Sequence, residues 1–202
     1  MARLFTADDL LDCYRRGVFP MARSRDDPRL FLIDPPRRAI LPLERFHLPR
    51  RLARTVRSGR FDIRVDTAFE AIIDACAAPR PDETETWINA GVRALYGELH
   101  RRGFVHSVET WRGDRLAGGL YGLALGGAFF GESMVSVERD ASKVALVHLI
   151  ERLRIGGFVL LDAQFMTDHL AQFGAVEIDR NAYQRRLAAA LLVDGTFGAA
   201  SA

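Results

Sequence analysis

The sequence predicts an α+β chain, on three observations. Helical patterns with their own start and stop residues flank three segments, Val105 to Arg112, Arg115 to Leu125 and Ala128 to Gly131, which the Gly113-Asp114 and Gly126-Gly127 turns join into an antiparallel meander. A short, wholly apolar segment, Phe158 to Leu161, reads as a buried strand after a long helix. The first third is broken by Pro20, Pro28, Pro35, Pro36, Pro42 and Pro49, which confines it to turns and short edge strands.

Each element has a local reason. Thr6 to Arg16 starts at a Thr6/Asp9 capping-box spacing and stops at Gly17. Phe61 to Val65 alternates as a strand, Thr67 to Ala77 reads as a helix, Pro79 to Glu85 as an acidic loop, and Ile88 to Arg102 as a helix ended by Gly103. After the meander, Asp140 is placed to cap a helix running to Ile155, and Gly156-Gly157 ends it. A helix from Thr167 to Phe173, a strand from Ala175 to Ile178 and a helix from Arg180 to Leu192 follow. The expected domains are a small basic N-terminal domain over 1–60, a larger domain over 61–193 and a frayed tail over 194–202.

Composition narrows the function classes. At 202 residues and 49% hydrophobic the chain has enough apolar material for a substantial core. Cys13 and Cys76 give neither a disulfide framework nor a metal spacing, and a reducing, cytoplasmic setting is expected. The N-terminus lacks a basic segment followed by an uncharged apolar one, and no apolar run approaches membrane-spanning length. The five histidines show no ligand spacing, so no metal or cofactor is expected. Residues 1–64 carry fifteen Arg against eight Asp and Glu, a net +7, while the rest carries thirteen Lys and Arg against eighteen Asp and Glu, a net −5. Arg45, Arg50, Arg51, Arg54, Arg57, Arg60 and Arg64 suit a basic stripe facing phosphates, although with Lys143 as the only lysine an Arg-rich coding bias is an alternative.

The polar residues that ask for a function lie between Gly131 and Gln164. Asp162 and Gln164 are two apart at the end of the apolar strand, so an extended chain puts both on one face. Glu132 and Met134 are expected to leave the preceding strand at Gly131, with Ser133 and Ser136 offering hydroxyls. Buried carboxylates need partners, so Glu132 and Asp162 point to a site, with helix capping or a turn bond as the alternative for Asp162. Lys143, in a helix first turn, opposes the dipole and is expected to meet a negative group. Gly118, Gly119 and Gly122 mark a close approach of backbone or ligand, or a plain bulge.

At these residues the sequence resembles the leucyl/phenylalanyl-tRNA–protein transferase family. The segments Tyr14-Arg-Arg-Gly-Val-Phe-Pro-Met21, Thr86-Trp-Ile88, His106-Ser-Val-Glu-Thr-Trp111, Gly118-Gly-Leu-Tyr-Gly122, Gly131-Glu-Ser-Met-Val-Ser136, Asp140-Ala-Ser-Lys143, Leu161-Asp-Ala-Gln164 and Gly174-Ala175 fall in family order, over roughly residues 8 to 187. The resemblance implies a GCN5-related N-acyltransferase-like domain preceded by a small N-terminal domain. It also implies transfer of Leu or Phe from aminoacyl-tRNA to the N-terminal Arg or Lys of a protein, which marks that protein for degradation.

Carried over residue by residue, Asp162 and Gln164 match the catalytic pair, with Gln164 expected to orient the amine and Asp162 to assist its proton loss. Glu132 matches a residue expected to hold the acceptor's cationic end. Leu120, Phe129, Met134, Leu146, Leu149 and Leu161 fall at the aminoacyl pocket. Arg50, Arg51, Arg54, Arg57 and Lys143 are expected to meet tRNA. Where the family has a Trp-containing strand beside the terminal adenine, this chain reads Phe31-Leu-Ile-Asp-Pro-Pro-Arg-Arg38, with Ile33 aligned and Phe31 as the alternative stacking ring. Two rival classes are an acyl-CoA-dependent N-acyltransferase, which requires a Gly-rich pyrophosphate loop that Val137-Glu138-Arg139-Asp140 does not supply, and a non-catalytic RNA-binding module.

Overall fold

A computed structural model describes residues 5–79 and 85–198, so the predicted acidic loop lies largely outside the described residues. The helix α1 (Ala7–Arg15) starts on the expected capping box, with the Thr6 hydroxyl accepting from the Asp9 N–H at 3.2 Å and the Asp9 carboxylate accepting from the Thr6 N–H at 2.9 Å. Gly17 then turns the chain at φ +76°. Strands β1 (Phe19–Met21) and β2 (Phe31–Ile33) form a two-stranded antiparallel ribbon of their own.

The main sheet has seven strands in the order β4-β5-β6-β7-β8-β3-β9. Its members are β3 (Arg37–Ile40), β4 (Asp62–Val65), β5 (Val105–Arg112), β6 (Arg115–Leu125), β7 (Ala128–Ser136), β8 (Leu160–Gln164) and β9 (Val176–Asp179). Every neighbouring pair is antiparallel except β7 and β8. The proline-rich stretch therefore yields more than edge pieces, because β3 sits inside the sheet between β8 and β9. Its four residues contain no proline, so it can bond on both sides.

Helices cover both faces. On one side lie α1, α3 (Phe69–Ala77), α4 (Ala90–Arg101) and α7 (Arg180–Ala190), whose Leu10, Tyr14, Ile72, Tyr96 and Tyr183 join Tyr121 and Phe130 of the sheet in one core. On the other, α2 (Arg50–Arg57) and α5 (Ala141–Ile155) pack Leu52, Leu146, Leu149 and Leu153 against Leu120, Phe129 and Leu161. The close-approach glycines have a packing reason: a Cβ on Gly119 would stand 2.6 Å from the Val108 carbonyl, and one on Gly118 2.5 Å from that of Val135.

Several boundaries differ from the sequence expectation. β7 runs on to Ser136 instead of stopping at Gly131, and β8 extends through Asp162 to Gln164. Asp140 stands at the start of α5 with φ 67° and makes no capping bond; the Ser136 hydroxyl accepts the Ser142 N–H at 2.9 Å instead. The helix α6 (Asp168–Ala171) is a single turn capped by Thr167. Residues 194–198 pack where fraying was expected, with the Thr196 N–H on the Gly156 carbonyl at 2.9 Å and the Phe197 ring stacked on His106 and Phe129. No helix among the described residues is long and apolar enough to cross a membrane.

Candidate active site

The functional side chains converge where β7 and β8 part. Their parallel pairing runs from Ala128↔Leu160 to Phe130↔Asp162 and goes no further. In the β6–β7 ladder Gly122 pairs with Gly131 and Tyr121 with Ser133, so Glu132 is the extra residue of a bulge. A bulge re-aims a side chain and inverts the face parity that follows it. Phe130 before it and Val135 after it therefore face the same core.

Between the diverging strands lies a cavity of about 430 Å³, lined on β7 by Glu132, Ser133 and Met134, on β8 by Leu161, Asp162 and Gln164, and on α5 by Leu146 and Leu149. Leu41 and Leu120 add to the apolar wall, and Phe165, Thr167, His169 and Leu170 line the cavity on the α6 side. That volume suits a small-molecule-sized group. Asp162 and Gln164 thus share one cavity with Glu132.

The two carboxylates have opposite surroundings. Asp162 is 0% exposed and both of its oxygens are taken. Arg38 holds it bidentately, Nε donating to Oδ1 at 2.9 Å and Nη2 to Oδ2 at 2.7 Å. The Tyr183 hydroxyl donates to Oδ2 at 2.7 Å, and the Gln164 N–H to Oδ1 at 2.9 Å. Arg38 is itself 1% exposed, bonded to the Gly17 carbonyl at 3.1 Å and set 4.5 Å from the Phe19 and Tyr183 ring centroids. Gln164 has φ 56°, a left-handed conformation unfavourable for a residue with a Cβ, and the Asp162 bond fixes it there.

Glu132 is half-buried and faces the cavity. Its Oε1 accepts from the Tyr14 hydroxyl at 2.6 Å and from Gln164 Nε2 at 3.3 Å, and its Oε2 accepts from the Tyr96 hydroxyl at 2.9 Å. Burial pushes its carboxyl up to about 7, the two tyrosine bonds and Arg38 pulling down and the Asp162 charge pushing up. Burial and the Glu132 charge likewise hold Tyr14 and Tyr96 well above the ordinary phenol range, so both hydroxyls are neutral donors.

The arrangement combines an apolar well, a fixed amide and a carboxyl that titrates near neutrality. Comparison with known proteins agrees with the resemblance seen in the sequence. The family model described as Leucyl/phenylalanyl-tRNA protein transferase matches residues 40–188, and the model of that family's N-terminal domain matches residues 3–36. Proteins named leucyl/phenylalanyl-tRNA–protein transferase are 64% identical over 96% of this chain and 89% of their own in Caulobacter vibrioides, and 65% identical over 98% and 90% in Phenylobacterium zucineum. The chain belongs to this family.

Family membership makes the protein an aminoacyltransferase with a mixed α/β fold and a small N-terminal domain. Among solved structures, L-PGS from Bacillus licheniformis superposes with a TM-score of 0.40 at 9% identity over 90% of this chain and 62% of that one, a likeness too loose to argue from.

Of the residues that the family motifs assign to the aminoacyl pocket, Leu120, Met134, Leu146, Leu149 and Leu161 line the cavity. Phe129 does not. It lies one layer deeper, 0% exposed and stacked on Phe197, where it is core. Arg50, Arg51, Arg54 and Arg57 are exposed on α2, and among the described residues none of the four has an ion pair, whereas Arg60 is paired with Glu138 at 3.0 Å and Arg64 lies over Trp111. Lys143 meets its negative group in Asp140, at 3.6 Å. Phe31 and Ile33 lie on the separate ribbon, outside the cavity lining, with the Arg23 guanidinium 4.2 Å from the Phe31 ring centroid. Sequence reasoning missed Arg38, Tyr96 and Tyr183 as site residues. Tyr14 stood in a quoted family motif without a role.

Proposed function

We propose that the protein moves leucine or phenylalanine from aminoacyl-tRNA to the N-terminal Arg or Lys of an acceptor protein in the cytoplasm, marking that protein for degradation. The observation that carries the reading is the single cavity in which an apolar well abuts Gln164 and Glu132. The donor's side chain enters the well among Leu120, Met134, Leu146, Leu149 and Leu161. An apolar well separates side chains by only about 1–3 kcal/mol per methylene, so some tolerance among apolar donors is expected. The acceptor's cationic end is drawn to Glu132, and Gln164 orients the amine.

The acceptor's α-amine attacks the ester carbonyl, a C–N bond forms, and the terminal ribose oxygen leaves. Alignment supplies most of the rate, with effective molarities of about 10⁵–10⁸ M available, against roughly 10²–10⁴ in rate for proton transfer. Asp162 fits the first kind of contribution. With both oxygens bonded to Arg38, Tyr183 and the Gln164 N–H, it has no exposed lone pair for an amine and acts by holding Gln164 in place. Arg50, Arg51, Arg54 and Arg57 suit tRNA phosphates, with Lys143 beside the cavity and Phe31 or Ile33 toward the terminal adenosine. The parting of parallel strands β7 and β8 in an otherwise antiparallel sheet supports kinship with the GCN5-related N-acyltransferase fold.

The test is incubation with radiolabelled Leu- and Phe-tRNA and peptides beginning Arg, Lys, Asp or Ala, beside an acetyl-CoA control. Label is expected on the Arg and Lys peptides alone. Acetyl transfer instead would establish the acyl-CoA rival, and tRNA binding without peptide labelling the RNA-binding one.

A further inference from the structure

Three groups beside the cavity, Tyr14, Tyr96 and Glu132, form a closed ring whose protons can be counted. The Tyr14 hydroxyl contacts the Tyr96 hydroxyl, Tyr14 contacts Glu132 Oε1, and Tyr96 contacts Glu132 Oε2. Each of these three contacts needs one proton to be a hydrogen bond. With Glu132 ionised, the two tyrosines supply only two, both spent on the carboxylate, and the oxygen pair Tyr14–Tyr96 is left with none. With a third proton on Glu132, the carboxyl donates to one tyrosine, that tyrosine to the other, and the second back to the carboxylate's remaining oxygen. The ring then closes with every contact satisfied. The site is built to hold one more proton than its two phenols carry.

We infer that Glu132 is the catalytic residue that takes the proton from the attacking amine, stores it in the ring with Tyr14 and Tyr96, and returns it to the departing ribose oxygen. On the aminoacyl-transfer reading, on which this rests, the acceptor group that Glu132 meets is the α-amine. As the C–N bond forms, the nitrogen's excess proton passes to a Glu132 oxygen. As the ester C–O bond breaks, that proton passes to the ribose oxygen and Glu132 returns to carboxylate. Among the described residues no other carboxylate lining the cavity has a free oxygen, since both oxygens of Asp162 are bonded to Arg38, Tyr183 and the Gln164 N–H. A carboxyl held near 7 matches an α-amine of about 7.7–8.0 better than an ordinary carboxylate does.

The groups that face Glu132 are Tyr14 from α1, Tyr96 from α4, Tyr121 from β6, Asp162 and Gln164 from β8, and Arg38 from β3. They set the sign of the test, which is the pH dependence of kcat at saturating Leu-tRNA and Arg-peptide. Glu132 must be ionised to accept a proton, so activity is expected to fall as pH drops through about 7. The acceptor amine also titrates, and its limb is told apart by substituting a peptide whose α-amine has a different pKa, which moves that limb with the peptide. Removing a tyrosine donor destabilises the carboxylate, so Tyr96→Phe should shift the Glu132 limb up by about half to one pH unit, and Tyr14→Phe likewise. Asp162→Asn removes a neighbouring negative charge and should shift it down. Glu132→Gln should abolish that limb and lower kcat by about 10²–10⁴. Wild-type kcat in Glu132→Gln, or one unmoved limb in wild type and both Tyr variants, overturns the inference. Absence of transfer by the wild type with either charged tRNA would instead retire the aminoacyl-transfer reading itself.

Discussion

Arg38 and Asp162 are separated by 124 positions and form a buried, bidentate pair. Two charges removed from water are tolerable here because each has further partners: Tyr183 and the Gln164 N–H on the acid, the Gly17 carbonyl on the base. Arg38→Met should cost about 3–5 kcal/mol in urea unfolding because it strands the Asp162 charge, and adding Asp162→Leu should recover much of that loss. Equal losses in the single and double variants would show that the pair's charges are not what matters. Asp162 and Gln164 were legible in the sequence from their two-residue spacing on an apolar strand. Arg38 was not, because it follows Pro35 and Pro36 in a stretch that reads as surface, and nothing local reveals that β3 docks beside β8. Tyr14 and Tyr96 lie inside predicted helices with no local sign of a role, because the polar end of a buried tyrosine is invisible until its partner is placed.

At the scale of elements, the Gly113-Asp114 and Gly126-Gly127 turns made β5 and β6 legible to the residue, while the far end of β7 was not. The apolar run Ala128 to Phe130 gives way at Gly131 to the polar Glu132 and Ser133, where the bulge inserts one position, so the pattern reads as a strand end at Gly131. The break in pattern was the functional signal. Helix caps behaved similarly: Thr6 and Thr167 cap as their types predict, while Asp140 yields its position to Ser136 because its own backbone is left-handed. The helix α2 offers a test of its proposed partner. It starts without a side-chain cap and with no acid in its first turn, and its four exposed arginines form a charged face free of intramolecular pairing among the described residues. Replacing Arg50, Arg51 and Arg54 with Gln should weaken tRNA binding and reduce the slope of log K against log salt by about 2–3, at roughly 0.7–0.9 for each phosphate no longer neutralised. An unchanged slope would place the tRNA elsewhere.

The family models divide the molecule between residues 36 and 40, yet the site does not respect that division. Tyr14 and the Gly17 carbonyl come from the N-terminal segment, Arg38 from the junction, and Glu132, Asp162 and Gln164 from the larger part. The sheet parts at β7 and β8 to open the cavity, one helical layer supplies the apolar well through Leu146 and Leu149, and the other supplies Tyr14, Tyr96 and Tyr183. The α+β class and the order of elements from Phe61 onward followed from patterning and turn residues, but the assembly of this site depends on which strand lies beside which, β3 included. The most direct measurement is a crystal structure with a non-hydrolysable analogue of the 3′-aminoacylated terminal adenosine. The account predicts the aminoacyl side chain among Leu120, Met134, Leu146, Leu149 and Leu161, with the acyl carbonyl within reach of Gln164 and Glu132 and the Arg38–Asp162 pair intact. An analogue seated away from this cavity, or one contacted directly by Asp162 with Arg38 displaced, would contradict it.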